Sequence, residues 1–146
     1  GVVISNRPGV GALEHAARYD LRAEILEGAE GETDEDYGRR VFDVIRDAGT
    51  DTVVLAGFLK KLWIPDDFAG RVINIHPSLL PSFRGAGCQV SGCTVHLVDE
   101  VYDNGPILLQ RWCPVETTDS ASDLAARVFA EELIALPEAL RRFWSR

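Results

Sequence analysis

Arg71 to Pro81 read RVINIHPSLLP. Val72, Ile73 and Ile75 are β-branched and apolar, as the end of a buried strand requires. Asn74 and His76 lie two apart, so an extended chain turns both side chains to one face. Pro77 then stops the ladder, because it has no N–H and a fixed φ. An amide and an imidazole are thereby delivered together at the tip of an apolar strand, where open α/β sheets keep their ligand sites. In isolation, Asn74 would cap a turn and His76 would bond a backbone carbonyl. A second segment, Asp99 to Pro106, gives the pair another meaning.

The flanking chain supplies the rest of the sheet. Upstream, Asp51–Ala56 (DTVVLA) reads as another buried strand and Ala23–Leu26 as a short one. The opening GVVISN has an uninterrupted apolar run, the mark of a central parallel strand covered on both faces, so residues are expected ahead of Gly1. One helix is predicted over about Ala12–Tyr19. A second, capped by Thr33 or Asp34, runs to about Ala48. Its apolar stripe is Tyr37, Val41, Val44, Ile45 and Ala48, and Gly49 stops it. Lys60–Asp67 reads as short irregular or helical chain broken by Pro65. Downstream, Gln89–Val98 alternates and Pro106–Val115 follows as a partner strand across a turn. The last helix spans about Ser120–Arg142, and Pro137 is expected to kink or restart it. Strand and helix alternate up to Pro81. The expected fold is therefore α/β: a doubly wound, mostly parallel sheet of Rossmann type, with an antiparallel C-terminal strand pair and a long C-terminal helix.

Bulk properties narrow the function. The 146 residues suffice for one domain, and the formal charge of −8 opposes a broad nucleic-acid surface. No apolar run is long enough to cross a bilayer, and nothing at the N-terminus reads as a signal peptide. The three cysteines, Cys88, Cys93 and Cys113, match no zinc pattern and read as reduced thiols of a cytoplasmic protein. No metal is expected.

Asn74, His76 and Asp103 are the candidate catalytic set. They suit attack of a nitrogen nucleophile on an acyl carbon, which passes through a tetrahedral oxyanion. An amide N–H and a protonated imidazole are two donors for that oxyanion, each worth on the order of 3 kcal/mol of barrier. A carboxylate nearby orients the imidazole and accepts, through water, the proton the amine must lose. His96, in mid-strand, reads as a structural or supporting residue. His15 and the acidic run Glu30–Asp36 read as solvated, and Arg7 as a surface arginine.

RVINIHPSLLP followed by VSGCTVHLVDEVYDNGPILLQ, with VVISNRPG and VVLAGF, resembles phosphoribosylglycinamide formyltransferase, the folate-dependent family of purine synthesis. The resemblance implies a formyltransferase-like fold. It also implies transfer of formyl from 10-formyltetrahydrofolate to the amine of glycinamide ribonucleotide, with Asn74, His76 and Asp103 in the catalytic places. It implies folate contacts from Phe58, Leu59, Lys60, Lys61 and Leu62 and from Val98, Asp99, Glu100, Val101 and Tyr102. Lys60 stands where the family often has Arg. Pro77 and Glu132 take the substrate contacts, and Leu133 stands where many members have His. The partners implied are small molecules, with neither nucleic acid nor membrane, for a monomer or homodimer. The expectation is a single formyltransferase domain over residues 1–146. It lacks the family's first strand and phosphate-binding loop and a helix near 86–88. Alternative readings are another 10-formyltetrahydrofolate-using enzyme of this fold (methionyl-tRNA formyltransferase or formyltetrahydrofolate hydrolase), or a non-catalytic folate-binding remnant.

Overall fold

A computed structural model describes residues 1–80, 88–99 and 103–145. The chain divides into two compact units, Gly1–Val53 with Leu59–Ala69, and Val54–Phe58 with Gly70–Arg146.

In the first unit, β1 (Val2–Ser5) and β2 (Arg22–Ile25) pair in parallel, Val2 opposite Arg22 and Ser5 opposite Ile25. The crossover between them is α1 (Gly11–Arg18). Among the described residues β1 pairs with β2 alone, and Val2, Val3 and Ile4 are half-buried rather than covered on both faces as expected. α2 (Asp34–Asp47) starts where its chemistry dictates. The Thr33 hydroxyl accepts from the Asp36 N–H at 3.1 Å, and Asp34, Glu35 and Asp36 sit in the first turn, against the positive end of the helix dipole. It ends on Gly49, whose φ of +64° closes the turn while Gly49 N–H donates to Arg46 and Thr50 N–H to Ile45. The stripe of α2 buries Tyr37, Val41, Phe42 and Ile45, with the Phe42 ring 4.8 Å from that of Phe68. Phe68 belongs to a single 3-10 turn, Asp66–Phe68, just after Pro65.

The second unit is built on a sheet of order β3-β4-β5-β6: β3 (Val53–Ala56), β4 (Val72–His76), β5 (Val90–Leu97) and β6 (Ile107–Pro114). β5 runs antiparallel to both β4 and β6, the expected C-terminal pair. Gly92 makes the close β5–β6 pairing possible, since a Cβ there would stand 2.1 Å from the Arg111 carbonyl oxygen. One face packs on α3 (Ala121–Trp144): Ile73, Ile75, Cys93, Val95, Leu109 and Cys113 meet Val128, Ala135 and Ala139. α3 opens with a capping box. Ser120 accepts from the Asp123 N–H, and the Asp123 carboxylate accepts from the Ser120 N–H at 2.9 Å.

α3 does not restart at Pro137. It continues to Trp144, because the ladder bond that Pro137 cannot donate is the one to Leu133, whose position is exposed to solvent. Cys93 and Cys113 are free, buried thiols. No helix among the described residues is long and apolar enough to cross a membrane.

Candidate active site

The sheet face away from α3 carries the polar groups. Ile73 and Ile75 enter the core, so alternation turns Asn74 and His76 to the opposite side. The antiparallel register then sets Asn74 opposite His96 and His76 opposite Thr94. Between Val95 and His96 the partner steps from Leu109 to Ile107, so Leu108 is an extra residue and β6 carries a bulge beside His96.

His96 is 1 % exposed, so both ring nitrogens need partners inside the protein. Its Nδ1 lies 2.9 Å from the Leu97 carbonyl oxygen. A carbonyl only accepts, so Nδ1 carries the proton. In the neutral ring Nε2 is then an acceptor, and it meets the Asn74 amide nitrogen at 3.3 Å. That contact engages one of the two Asn74 amide N–H bonds. The sequence reading placed His96 in a supporting role but carried no signal for this link, which strand register alone creates.

Asp103 stands between two imidazoles. Its Oδ2 is 3.5 Å from His76 Nδ1 and its Oδ1 is 3.6 Å from His96 Nε2. The Asp103 side chain is 18 % exposed and that of His76 31 %, so the pair lies at the rim of the protein with a path to water. Asp103 has φ of +56°, in the left-handed region that Asp enters more readily than most residues.

The chain behind His76 is clamped from β5 and β6. The Thr94 hydroxyl donates to the Ser78 carbonyl at 2.7 Å and accepts from the Leu80 N–H and the Gln110 amide, each at 3.0 Å. Gln110 also donates to the Leu80 carbonyl at 2.8 Å, and Ser78 N–H closes a tight turn onto the His76 carbonyl, also at 2.8 Å. Pro77 sits in this turn and is exposed. Sequence reasoning missed Thr94 and Gln110. The alternation of β5 placed Thr94 on the face of His96, but the clamp arises only once 78–80 folds back.

Glu132, on α3, is half-buried. Burial pushes its carboxyl above the ordinary value, and the nearby positive charge of His76 partly counters this. Glu132 is therefore within electrostatic reach of the Asn74–His76–Asp103 group. Burial, then the Glu132 charge, push the Cys93 thiol up to about 11, so it stays protonated at neutral pH and is a poor nucleophile.

The other expected contact residues are divided between the two units. Phe58 is half-buried at the end of the β3 segment, Val98 and Asp99 follow β5, and Glu100, Val101 and Tyr102 lie outside the described residues. In the first unit, Leu59 is 84 % exposed, Lys61 exposed and Leu62 half-buried. The Lys60 ammonium stands 3.8 Å from the centre of the Tyr37 ring, a cation–π contact, with its charge felt by Glu32. Among the described residues no group of three or more His, Cys, Asp or Glu side chains could hold a metal ion.

Comparison with known proteins agrees with this architecture. The profile of the formyl transferase family matches residues 1–140. The chain is 34 % identical to phosphoribosylglycinamide formyltransferase of Escherichia coli, over 97 % of this chain and 72 % of that protein. It is 36 % identical to the trifunctional purine biosynthetic protein adenosine-3 of Drosophila melanogaster over 95 % of its length, but spans only 11 % of that longer protein. The crystal structure of glycinamide ribonucleotide transformylase 1 from Symbiobacterium toebii superposes with a TM-score of 0.92 at 38 % identity, covering 98 % of this chain and 73 % of that one. In fold, in profile and in relatives at this identity, the chain belongs to the formyl transferase family.

Proposed function

We propose that this chain transfers a formyl group from 10-formyltetrahydrofolate to the amine of glycinamide ribonucleotide, a step of purine synthesis. The observation that carries the reading is the meeting of Asn74, His76 and Asp103, with Asp103 3.5 Å from His76. The names of the similar proteins supply the substrates.

The steps follow from the donors and acceptors present. The substrate amine attacks the formyl carbon, forming a C–N bond and placing negative charge on the formyl oxygen. The second Asn74 N–H and a protonated His76 donate to that oxygen. Asp103 takes the ammonium proton through one water molecule, which the rim position of the pair admits. The bond to the folate nitrogen then breaks, with His76 protonating the departing nitrogen. Glu132, brought near by α3, and Pro77 are assigned to the substrate. Phe58, Val98 and Asp99 are assigned to the folate. The protein works in the cytoplasm on small molecules, as a monomer or homodimer.

The test is a transfer assay with both substrates, run beside Asp103→Asn. Loss of the carboxylate is expected to lower kcat by at least about 100-fold, within the usual range for a general base. An Asp103→Asn protein with wild-type turnover would remove Asp103 from the mechanism. Folate binding without turnover in the unaltered protein would favour the non-catalytic reading.

A further inference from the structure

We propose that Gly105 is a positioning residue of the site: its bare Cα leaves room for the Leu97 carbonyl that holds the His96 ring, and so sets Asn74 through that ring and Asp103 through the short segment that joins them. The catalytic part of this inference rests on the formyl-transfer reading; the structural part does not.

Gly105 is buried, and a Cβ built on it would lie 1.8 Å from the Leu97 carbonyl oxygen and 2.8 Å from its carbon. Such a contact cannot be tolerated, and the obstructing atom is main chain, which has no rotamer to yield. The conformation of Gly105 is not the obstacle, since its φ does not fall in the left-handed range. The requirement for glycine is one of space alone.

That carbonyl oxygen is also the acceptor for His96 Nδ1, at 2.9 Å. It keeps the proton on Nδ1 and presents Nε2 to the Asn74 amide at 3.3 Å, while Asp103 Oδ1, 3.6 Å from the same nitrogen, is a second acceptor and makes no hydrogen bond to it. The Leu97 N–H is held in turn by the Pro106 carbonyl at 2.9 Å, so the residue after Gly105 pins Leu97 through the preceding peptide. A side chain at 105 leaves two ways out. If the Leu97 carbonyl rotates away, His96 Nδ1 loses its acceptor and the ring its fixed tautomer. If the 103–106 segment backs off, Asp103, two residues earlier, moves away from both imidazoles. Either route reaches the catalytic groups while leaving the core against α3 in place.

The closing experiment combines imidazole ¹⁵N NMR with steady-state kinetics on wild type and Gly105→Ala. Wild type is expected to show His96 protonated at Nδ1 and bare at Nε2. Gly105→Ala is expected to lose that signature or exchange between forms where the Leu97 carbonyl turns, and to keep it where the 103–106 segment moves instead. Its kcat should fall by about 100-fold, the cost of a displacement near 1 Å. KM for both substrates should stay within about twofold, because the groups disturbed serve the transition state rather than ground-state binding. A general unfolding would not give this split, and thermal unfolding of the variant checks it directly. The wild-type spectrum needs no variant: a His96 ring bare at Nδ1 overturns the proposal even if Gly105→Ala does not fold. Wild-type kcat in a folded Gly105→Ala protein, whatever its ring signature, overturns it as well. Absence of transfer in wild type, with the expected ring signature present, would sink the formyl-transfer reading and leave the Gly105–Leu97–His96 link standing.

Discussion

Thr94→Val tests whether the clamp behind His76 is held by hydrogen bonds or by shape. The Thr94 hydroxyl uses its one donor on Ser78 and both acceptor sites on Leu80 and Gln110, and the residue is fully buried. Valine has nearly the same volume and none of these bonds. At about 1 kcal/mol net for each of the three, the substitution should cost about 3 kcal/mol. For a chain of this size that is a fall of roughly 6–12 °C in Tm. Thr94→Ser keeps the hydroxyl and removes one buried methyl, so its cost should be about 1 kcal/mol. Urea unfolding followed by circular dichroism gives both values, and a common m-value shows that stability alone has changed. Because 78–80 continues directly from His76 and Pro77, Thr94→Val should also lower formyl transfer, while Thr94→Ser should nearly spare it. A Thr94→Val protein within about 1 kcal/mol of wild type would refute the reasoning. So would a Thr94→Ser protein as damaged as Thr94→Val, since the loss would then belong to methyl packing.

Two further outcomes are expected. Glu132 titrates near 4.5 when unfolded and higher when folded, because burial disfavours its charge. The folded state then binds more protons through this window, so stability should decline as pH rises from about 4.5 toward the raised value. Glu132→Gln should flatten that part of an unfolding-versus-pH curve, and an identical curve for the variant would show that burial of Glu132 is not felt. Thr33→Ala removes the N-cap of α2 and should cost about 1 kcal/mol in thermal unfolding, with formyl transfer unchanged at temperatures where the protein stays folded.

Local chemistry made much of this fold legible. Thr33, the acidic turn and Gly49 bound α2 within a residue of where the structure ends it. The two-residue spacing of Asn74 and His76 was enough to put both on one face, and the resemblance to the family picked out Asp103 within its acidic segment. What the chain does not spell out is register. His96 serves Asn74 because residues 74 and 96 are opposed across β4 and β5, a pairing of positions 22 apart. Thr94 reaches Ser78 and Gln110 across 16 residues in either direction. Periodicity assigns such residues to a face without naming their partners. The expectation of a restart at Pro137 failed for a related reason. Proline predicts a lost bond, but whether a helix ends there depends on the rest of its inner face, which continues through Ala135, Ala139 and Leu140.

The left-handed backbone at Asp103 filters which changes the fold can sense. Most side chains placed there would be felt as misfolding and removed on that ground. Asparagine and glycine accept the same dihedral angles without that penalty. The two exchanges that silence the carboxylate are thus among the few that leave the protein intact. A lineage freed from the need for this reaction could therefore discard its chemistry while its architecture persists, and screens that score folding alone would pass the result as sound.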